Sequence, residues 1–270
     1  PKIRMPRQNL VQAPFLLIDR AFSQTDGGLS IFFGPVDVPR RLRLCCGPHD
    51  ASVLLMIAIV DYRAGNLTSV RLALDELGRE SVITSDPAVI AAADRVIFPG
   101  AGAAGAALKN LAELGLIETL RRVVAGGTPF LGICLGMQIL FDRSEEDGGV
   151  AGLGLLPGAV VRFRPRDPRD KIPPMGWNRV RFARPHPVFD GLSTEGYYYF
   201  VHSYYAAPAR PEHALGLTEY AGAEFCSIAG AGNVIATQFH IEKSGPLGLR
   251  MLDAFARWDG RDATAGARPC

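Results

Sequence analysis

A cysteine set between two glycines, Gly132-Ile133-Cys134-Leu135-Gly136, sits where the buried apolar run Pro129 to Ile133 ends and a helix is expected to begin. A strand that turns this sharply into a helix needs residues without a Cβ beside the turn, because neighbouring segments approach too closely for a side chain. The pattern therefore demands a strand end, a helix start and a thiol raised at the edge of a sheet. A residue at the apex of such a turn is strained, and backbone strain collects where chemistry is done. Cys134 also meets the first N–H groups of the following helix, which favour a thiolate, and the Leu135 N–H becomes a donor for an oxyanion.

Around this turn the chain alternates strand and helix. Met56 to Val60 reads as a buried strand, and Leu67, Val70, Leu74 and Leu77 share one helix face that Gly78 stops. Ser81 to Thr84 is a second strand. Asp86 and Pro87 supply a cap and a first-turn proline for a helix over Ala88 to Ala93. Arg95 to Phe98 is a third strand, followed by the glycine-rich loop Pro99 to Gly105 and helices around Leu108 to Leu114 and Ile117 to Val124. This order predicts an α/β fold with a doubly wound, mostly parallel sheet.

The second half adds an antiparallel, β-rich portion. Strands are expected at Ala159 to Phe163, Asn178 to Phe182, Tyr197 to Ala206 and Ala214 to Tyr220, with Met175 to Asn178 reading as a turn. Glu224 to Ile228 and Val234 to Phe239 flank a glycine-rich turn and form a hairpin. Helical spacing returns over Leu247 to Trp258 through Leu249, Leu252 and Phe255.

Three segments follow: a leader over 1–55, a domain over 56–258 and a disordered tail over 259–270. The leader holds seven of the 29 basic residues and four of the 27 acidic ones, so the remainder is close to neutral. Its aspartates and weak amphipathic pattern count against an organellar targeting segment, and it is expected to be an upstream extension or a mis-assigned start, with the domain beginning at Met56. A net charge of +2 gives no field that would make nucleic acid or an anionic membrane the main partner. No apolar run approaches the roughly 18 residues a membrane span requires, which makes the cytoplasm the expected location. The five cysteines, Cys45, Cys46, Cys134, Cys226 and Cys270, are scattered without a CxxC pair. That argues against a disulfide framework and a structural zinc site, and neither metal nor cofactor is expected.

A thiol nucleophile needs a base and a group to orient that base. His240-Ile241-Glu242, at the end of the strand Val234 to Phe239, offers both, since residues two apart on a strand share a face. Glu242 accepts from one imidazole nitrogen and leaves the other for Cys134. The loop Pro99-Gly100-Ala101-Gly102 leaves the third strand at the same carboxyl edge of the sheet and can present N–H groups to an oxyanion. The competing reading, a phosphate cradle, lacks both a P-loop lysine and a complete G-x-G-x-x-G after the first strand.

Gly-Ile-Cys134-Leu-Gly-Met-Gln138 and Gln-Phe-His240-Ile-Glu242-Lys-Ser together resemble the triad segments of the class I glutamine amidotransferases. Asp61-Tyr62-Arg63-Ala64-Gly65-Asn66-Leu67, Met175-Gly176-Trp177-Asn178 and Tyr199-Phe200-Val201-His202-Ser203-Tyr204-Tyr205 are similar to the glutaminase subunits of imidazole glycerol phosphate synthase. The resemblance runs from Met56 to about Trp258. It implies hydrolysis of glutamine by Cys134, His240 and Glu242, with ammonia passed to a (β/α)8-barrel cyclase subunit. It also implies that Gln138 and His202-Ser203-Tyr204 hold the glutamine, that Ala101 and Gly102 complete the oxyanion hole with Leu135, and that Met175 to Asn178 lies near the cyclase. The oxyanion loop is expected to await the cyclase's nucleotide ligand. Arg63 stands where the family usually has glycine, Pro174 where it has histidine, and Ile241 where it has proline. His49, His186 and His213 receive no role. The alternatives are a relative that serves another synthase, such as one amidinating a surface sugar, and a degenerate binding module.

Overall fold

The structure, a computed structural model, describes residues 55–261 apart from positions 64 and 168. The expectations for the leader, and for the tail beyond residue 261, lie outside the described residues. Among the described residues there are thirteen strands and six α-helices. The first half runs β1 (Ile57–Val60), α1 (Leu67–Glu76), β2 (Ser81–Thr84), α2 (Pro87–Ala92) and β3 (Arg95–Gly100). It continues through α3 (Ala104–Glu113), α4 (Leu116–Ala125), β4 (Phe130–Cys134) and the single turn α5 (Leu135–Gln138). Then come β5 (Phe141–Ser144), β6 (Val150–Ala151), β7 (Leu156–Arg162), β8 (Met175–Phe182) and β9 (Glu195–Val201). The last elements are β10 (Tyr204–Pro208), β11 (Ala214–Tyr220), β12 (Ala223–Ala231), β13 (Val234–Thr237) and α6 (Gly245–Arg257).

Five strands, in the order β2-β1-β3-β4-β13, run parallel. From β12 onward the sheet turns antiparallel through β10 and β7, and β11 branches from β12 toward the hairpin of β8 and β9. Strands β1, β3 and β4 are buried along their whole length because helices cover both faces. Ala58, Val60, Val96, Phe98 and Phe130 join the cluster of Leu111, Leu116 and Leu120 from α3 and α4. Their neighbours Ile57, Ile59, Ile97, Leu131 and Ile133 join that of Val70, Leu74, Leu252 and Phe255 from α1 and α6. Each large apolar side chain among them contributes about 1.5–3 kcal/mol when fully buried.

The sequence signals for helix ends operate as expected. Asp86 accepts from the Ala88 N–H at 2.8 Å with Pro87 in the first turn, and Gly78, at φ 65, lets the Arg79 N–H return to the Leu74 carbonyl at 2.9 Å. The hairpin of β12 and β13 is also present, with Ala231 opposite Val234.

Four expectations need correction. The run Tyr197 to Ala206 is two strands: β9 pairs with β8, whereas β10 pairs with β7 and β12. The break falls at His202-Ser203, where the His202 Nδ1 bonds the Tyr204 carbonyl at 2.7 Å in place of a ladder bond. Met175 to Asn178 is the start of β8 and not a turn; Gly176, at φ 138, sits in the ladder opposite Phe200. The strand through Val234 stops at Thr237, since its antiparallel partner's register ends there and the His240 N–H turns to the Tyr199 carbonyl at 2.9 Å. The helix after Cys134 lasts one turn because the N–H groups of Leu153 and Leu155 capture the Ile139 and Leu140 carbonyls at 2.7 and 2.8 Å.

Three glycines set the closest approaches in the parallel sheet. A Cβ on Gly136 would overlap the Phe98 carbonyl oxygen, one on Gly100 would lie 2.5 Å from the Gly136 nitrogen, and one on Gly132 would lie 2.8 Å from the Gly136 oxygen. The obstructing atoms are backbone, so rotamer changes cannot relieve them. Gly136→Ala is expected to lower the unfolding free energy by about 3 kcal/mol, measured by urea titration; an unchanged midpoint would contradict the close approach.

Candidate active site

Strand β4 delivers Cys134 to the sheet edge with φ 56 and ψ −110, a conformation an L-residue rarely adopts. Holding it costs about 1–3 kcal/mol, and the close contacts of Gly100, Gly132 and Gly136 supply the constraint. With α5 only one turn long, no long helix dipole acts on the thiol. Cys134 is buried apart from 7% of its surface. Its Sγ lies 3.9 Å from the Val201 carbonyl and 3.8 Å from the Gln238 Nε2.

His240 and Glu242 come together through a turn and not through strand alternation. The chain leaves β13, and His240 precedes a 3-10 turn over Ile241–Lys243 that swings Glu242 back beneath the ring. The His240 Nδ1 and Glu242 Oε1 are 2.8 Å apart, with side chains 4% and 0% exposed. Asn66, at the start of α1, donates to the same Glu242 Oε1 at 2.6 Å and has its Nδ2 3.3 Å from the His240 Nδ1. Sequence reasoning missed Asn66. Its φ of 77 and its side chain, which does not cap α1, are the local marks of a residue turned to another task. Burial works against an imidazolium at His240, but hydrogen bonds and charge from Cys134 and Glu242 outweigh it and push the pKa up to about 10.

A cleft of about 300 Å³ opens above these groups. It is lined by Cys134, Leu135, Gln138 and His240, by Ala101 and Gly102 of the loop after β3, and by His202, Ser203 and Tyr204. Every sequence-predicted site residue thus reaches the cleft except Glu242, which stands behind His240. Gln138 donates from Nε2 to the Tyr204 carbonyl at 2.8 Å. His202 packs against Phe163, Phe200 and Phe225, with ring centroids 5.3, 5.5 and 5.4 Å away. Burial pushes its pKa down to about 4, so it is neutral and donates from Nδ1 to the Tyr204 carbonyl.

Glu146 also lines the cleft, and sequence reasoning missed it. Its Oε2 accepts from the Ala104 N–H at 2.8 Å, at the start of α3. Burial raises its pKa, the Ala104 N–H opposes the rise and the neighbouring Asp147 adds to it. A carboxylate here suits an incoming ammonium. The only sequence signal was an acidic run, Glu145-Glu146-Asp147, which reads equally well as a solvated loop. Tyr62 stacks on Phe98 at 4.7 Å; burial raises its hydroxyl above the usual tyrosine range, with the Ala101 backbone opposing.

A strained thiol, a carboxylate-held imidazole and a small polar cleft at the carboxyl edge of a parallel sheet define a cysteine-dependent amide hydrolase site. The family model described as Glutamine amidotransferase class-I matches residues 58–257. The chain is 50% identical over 208 residues to imidazole glycerol phosphate synthase subunit HisH of Nitratidesulfovibrio vulgaris strain DP4, covering 75% of this chain and 96% of that protein. It is 46% identical over 200 residues to the subunit of the same name in Methanocaldococcus jannaschii, covering 74% and 98%. In fold it is similar to PurLQS from Thermotoga maritima, with a TM-score of 0.60, 17% identity and coverage of 75% and 98%. A glutamine amidotransferase from the same organism gives a TM-score of 0.51, 16% identity and coverage of 75% and 82%. The chain belongs to the class I glutamine amidotransferases and, within them, to the HisH family.

The two histidines give stability opposite pH dependences. His240 is raised in the fold, so its contribution is complete below its unfolded value near 6.5 and is lost as pH rises through about 10. His202 is lowered, so its contribution is complete above 6.5 and is lost as pH falls through about 4. Unfolding free energy is expected to fall on both sides of about pH 6.5. Glu242→Gln should make the alkaline limb shallower, the Cys134 contribution remaining, and leave the acid limb in place, measured by urea unfolding across pH.

Proposed function

We propose that this chain is the glutaminase subunit of an imidazole glycerol phosphate synthase, releasing ammonia from glutamine for a cyclase partner in histidine biosynthesis. Cys134, held at φ 56 over a cleft it shares with the buried His240–Glu242 pair, is the observation that carries the reading. The identity to HisH subunits over 96% of the relative's length supports the choice of synthase. The family reaction consumes a phosphoribulosyl formimino-aminoimidazole carboxamide ribonucleotide and the ammonia, giving imidazole glycerol phosphate and an aminoimidazole carboxamide ribotide.

In the mechanism, the Cys134 thiolate attacks the side-chain amide carbon of glutamine, and the carbonyl oxygen takes the negative charge. The Leu135 N–H and the loop at Ala101 and Gly102 are the donors for that oxyanion. As the C–N bond breaks, the His240 imidazolium gives its proton to the leaving nitrogen, so ammonia departs and a thioester remains. His240 then removes a proton from water, which attacks the thioester and releases glutamate and the thiolate. Glu242 and Asn66 hold the ring in place through both steps. Gln138 and the His202-Ser203-Tyr204 segment grip the amino-acid end of the substrate, and Glu146 accepts its ammonium.

The partner is taken to be a (β/α)8-barrel cyclase, met in the cytoplasm. Met175, Trp177 and Tyr197 on the β8–β9 hairpin are 73%, 57% and 59% exposed, an apolar face that supports docking there. Among the described residues, no helix is long and apolar enough to cross a membrane.

Glutamate release from glutamine, assayed for the chain alone and with a barrel cyclase plus its nucleotide ligand, should rise sharply in the complex. Cys134→Ala should lower it by on the order of a thousandfold or more. Cysteine-dependent release that ignores the cyclase would redirect the search to another synthase. Asn66→Ala removes a hydrogen bond to a charged group and should lower kcat/KM about ten- to a hundredfold; an unchanged value would remove Asn66 from the mechanism.

A further inference from the structure

Two residues before His240, Gln238 is 0% exposed and makes contacts that the hydrolytic steps do not use. Its Oε1 accepts from the Gln138 Nε2 at 3.1 Å, and its own Nε2 points at the Cys134 Sγ, 3.8 Å away. A primary amide nitrogen carries two hydrogens. Both hydrogens of the Gln138 nitrogen are committed, one to Gln238 Oε1 and one to the Tyr204 carbonyl at 2.8 Å. Turning the Gln138 amide over would set its oxygen against two acceptors, so its orientation is decided. The Gln238 amide is decided in turn: its oxygen must face Gln138, which leaves its N–H for the sulfur. The Tyr204 carbonyl at the far end is itself fixed by the His202 N–H at 2.7 Å.

Resting on the glutaminase reading, we infer that Gln238 is a positioning residue that ties the nucleophile to the substrate holder. An N–H contact to a neutral thiol is weak, but it strengthens as the sulfur takes negative charge in a buried setting. The Val201 carbonyl, which also lies beside the sulfur, accepts from a thiol and repels a thiolate. Gln238 is therefore the uncharged group whose donor rewards ionisation of Cys134. The same amide fixes Gln138, whose free Oε1 is left to accept from the substrate. The titratable groups facing the sulfur are His240 and, within electrostatic reach, the buried Tyr62 hydroxyl.

The test is Gln238→Met, which keeps length and apolar volume and removes both the donor and the acceptor. Alkylation of Cys134 by iodoacetamide, followed from pH 5 to 10, needs no glutamine and is independent of the proposed reaction. Its midpoint should rise by about one pH unit in the variant. In the glutaminase assay kcat should fall about tenfold and KM for glutamine rise about fivefold. In the unmodified chain, the Gln238 side-chain amide protons followed by NMR should shift with the alkylation midpoint and lose that response in Cys134→Ala. The NMR measurement stands even where Gln238→Met fails to fold. A flat amide response, or a folded variant with unmoved alkylation midpoint, kcat and KM, would overturn the inference. Failure of the glutaminase reading would show separately, as normal alkylation without glutamate release.

Discussion

The active cleft depends on three places where backbone touches backbone. Gly100, Gly132 and Gly136 bring β3, β4 and α5 together more closely than any Cβ allows, and Cys134 is carried into φ 56 as a result. From that one conformation follow the exposure of the thiol to the cleft and its nearness to Leu135, Ala101 and Gly102, which line the same cleft. A relaxed β-region cysteine at the same place would continue into the sheet. The strain of about 1–3 kcal/mol is small beside the apolar burial of the two helical layers that hold the sheet between them.

Around that thiol the fold resolves a conflict between burial and charge. An imidazolium in a site this enclosed would lose its proton without partners, as His202, which lines the same cleft, illustrates. His202 faces three phenylalanine rings and is pushed down to about 4, whereas His240 faces Glu242 and Cys134 and is pushed up to about 10. The same side chain is thus a neutral packing and hydrogen-bonding group in one place and a protonated, carboxylate-bound ring in the other. Asn66 completes the arrangement by donating to the carboxylate oxygen that already accepts from His240.

The parallel half of the fold and the position of Cys134 were legible because local rules and tertiary structure agree there. Continuous apolar runs, Gly78, Asp86 and Pro87 each act where the pattern places them. The antiparallel half was harder to read because its breaks are made by contacts distant in sequence. Aromatic residues continue straight through the junction of β9 and β10, and only the separate partners β8, β7 and β12 divide the run. Cys134, His240 and Glu242 could be picked out by residue type and spacing. Asn66, Gln238 and Glu146 could not: each lies on a different loop or strand end, and its chemistry is visible only when the β1–α1 turn, the end of β13 and the segment after β5 converge.

The three departures from the family pattern also make physical sense. Arg63 occupies a position with φ 65, the backbone region that explains a usual glycine. An arginine there costs about 1 kcal/mol or more. The Asp61 carboxylate accepts its N–H at 2.8 Å and Glu113 pairs with its guanidinium at 3.0 Å, although an exposed pair returns only about 0–1 kcal/mol. Ile241 is 0% exposed at the start of the turn that carries Glu242, so its apolar side chain takes the buried volume that a proline would fill. Pro174 is likewise buried, directly ahead of β8. None of the three lines the cleft. The substitutions therefore sit in the loops and turns that support the site, and the groups that face the sulfur are left as the fold requires them.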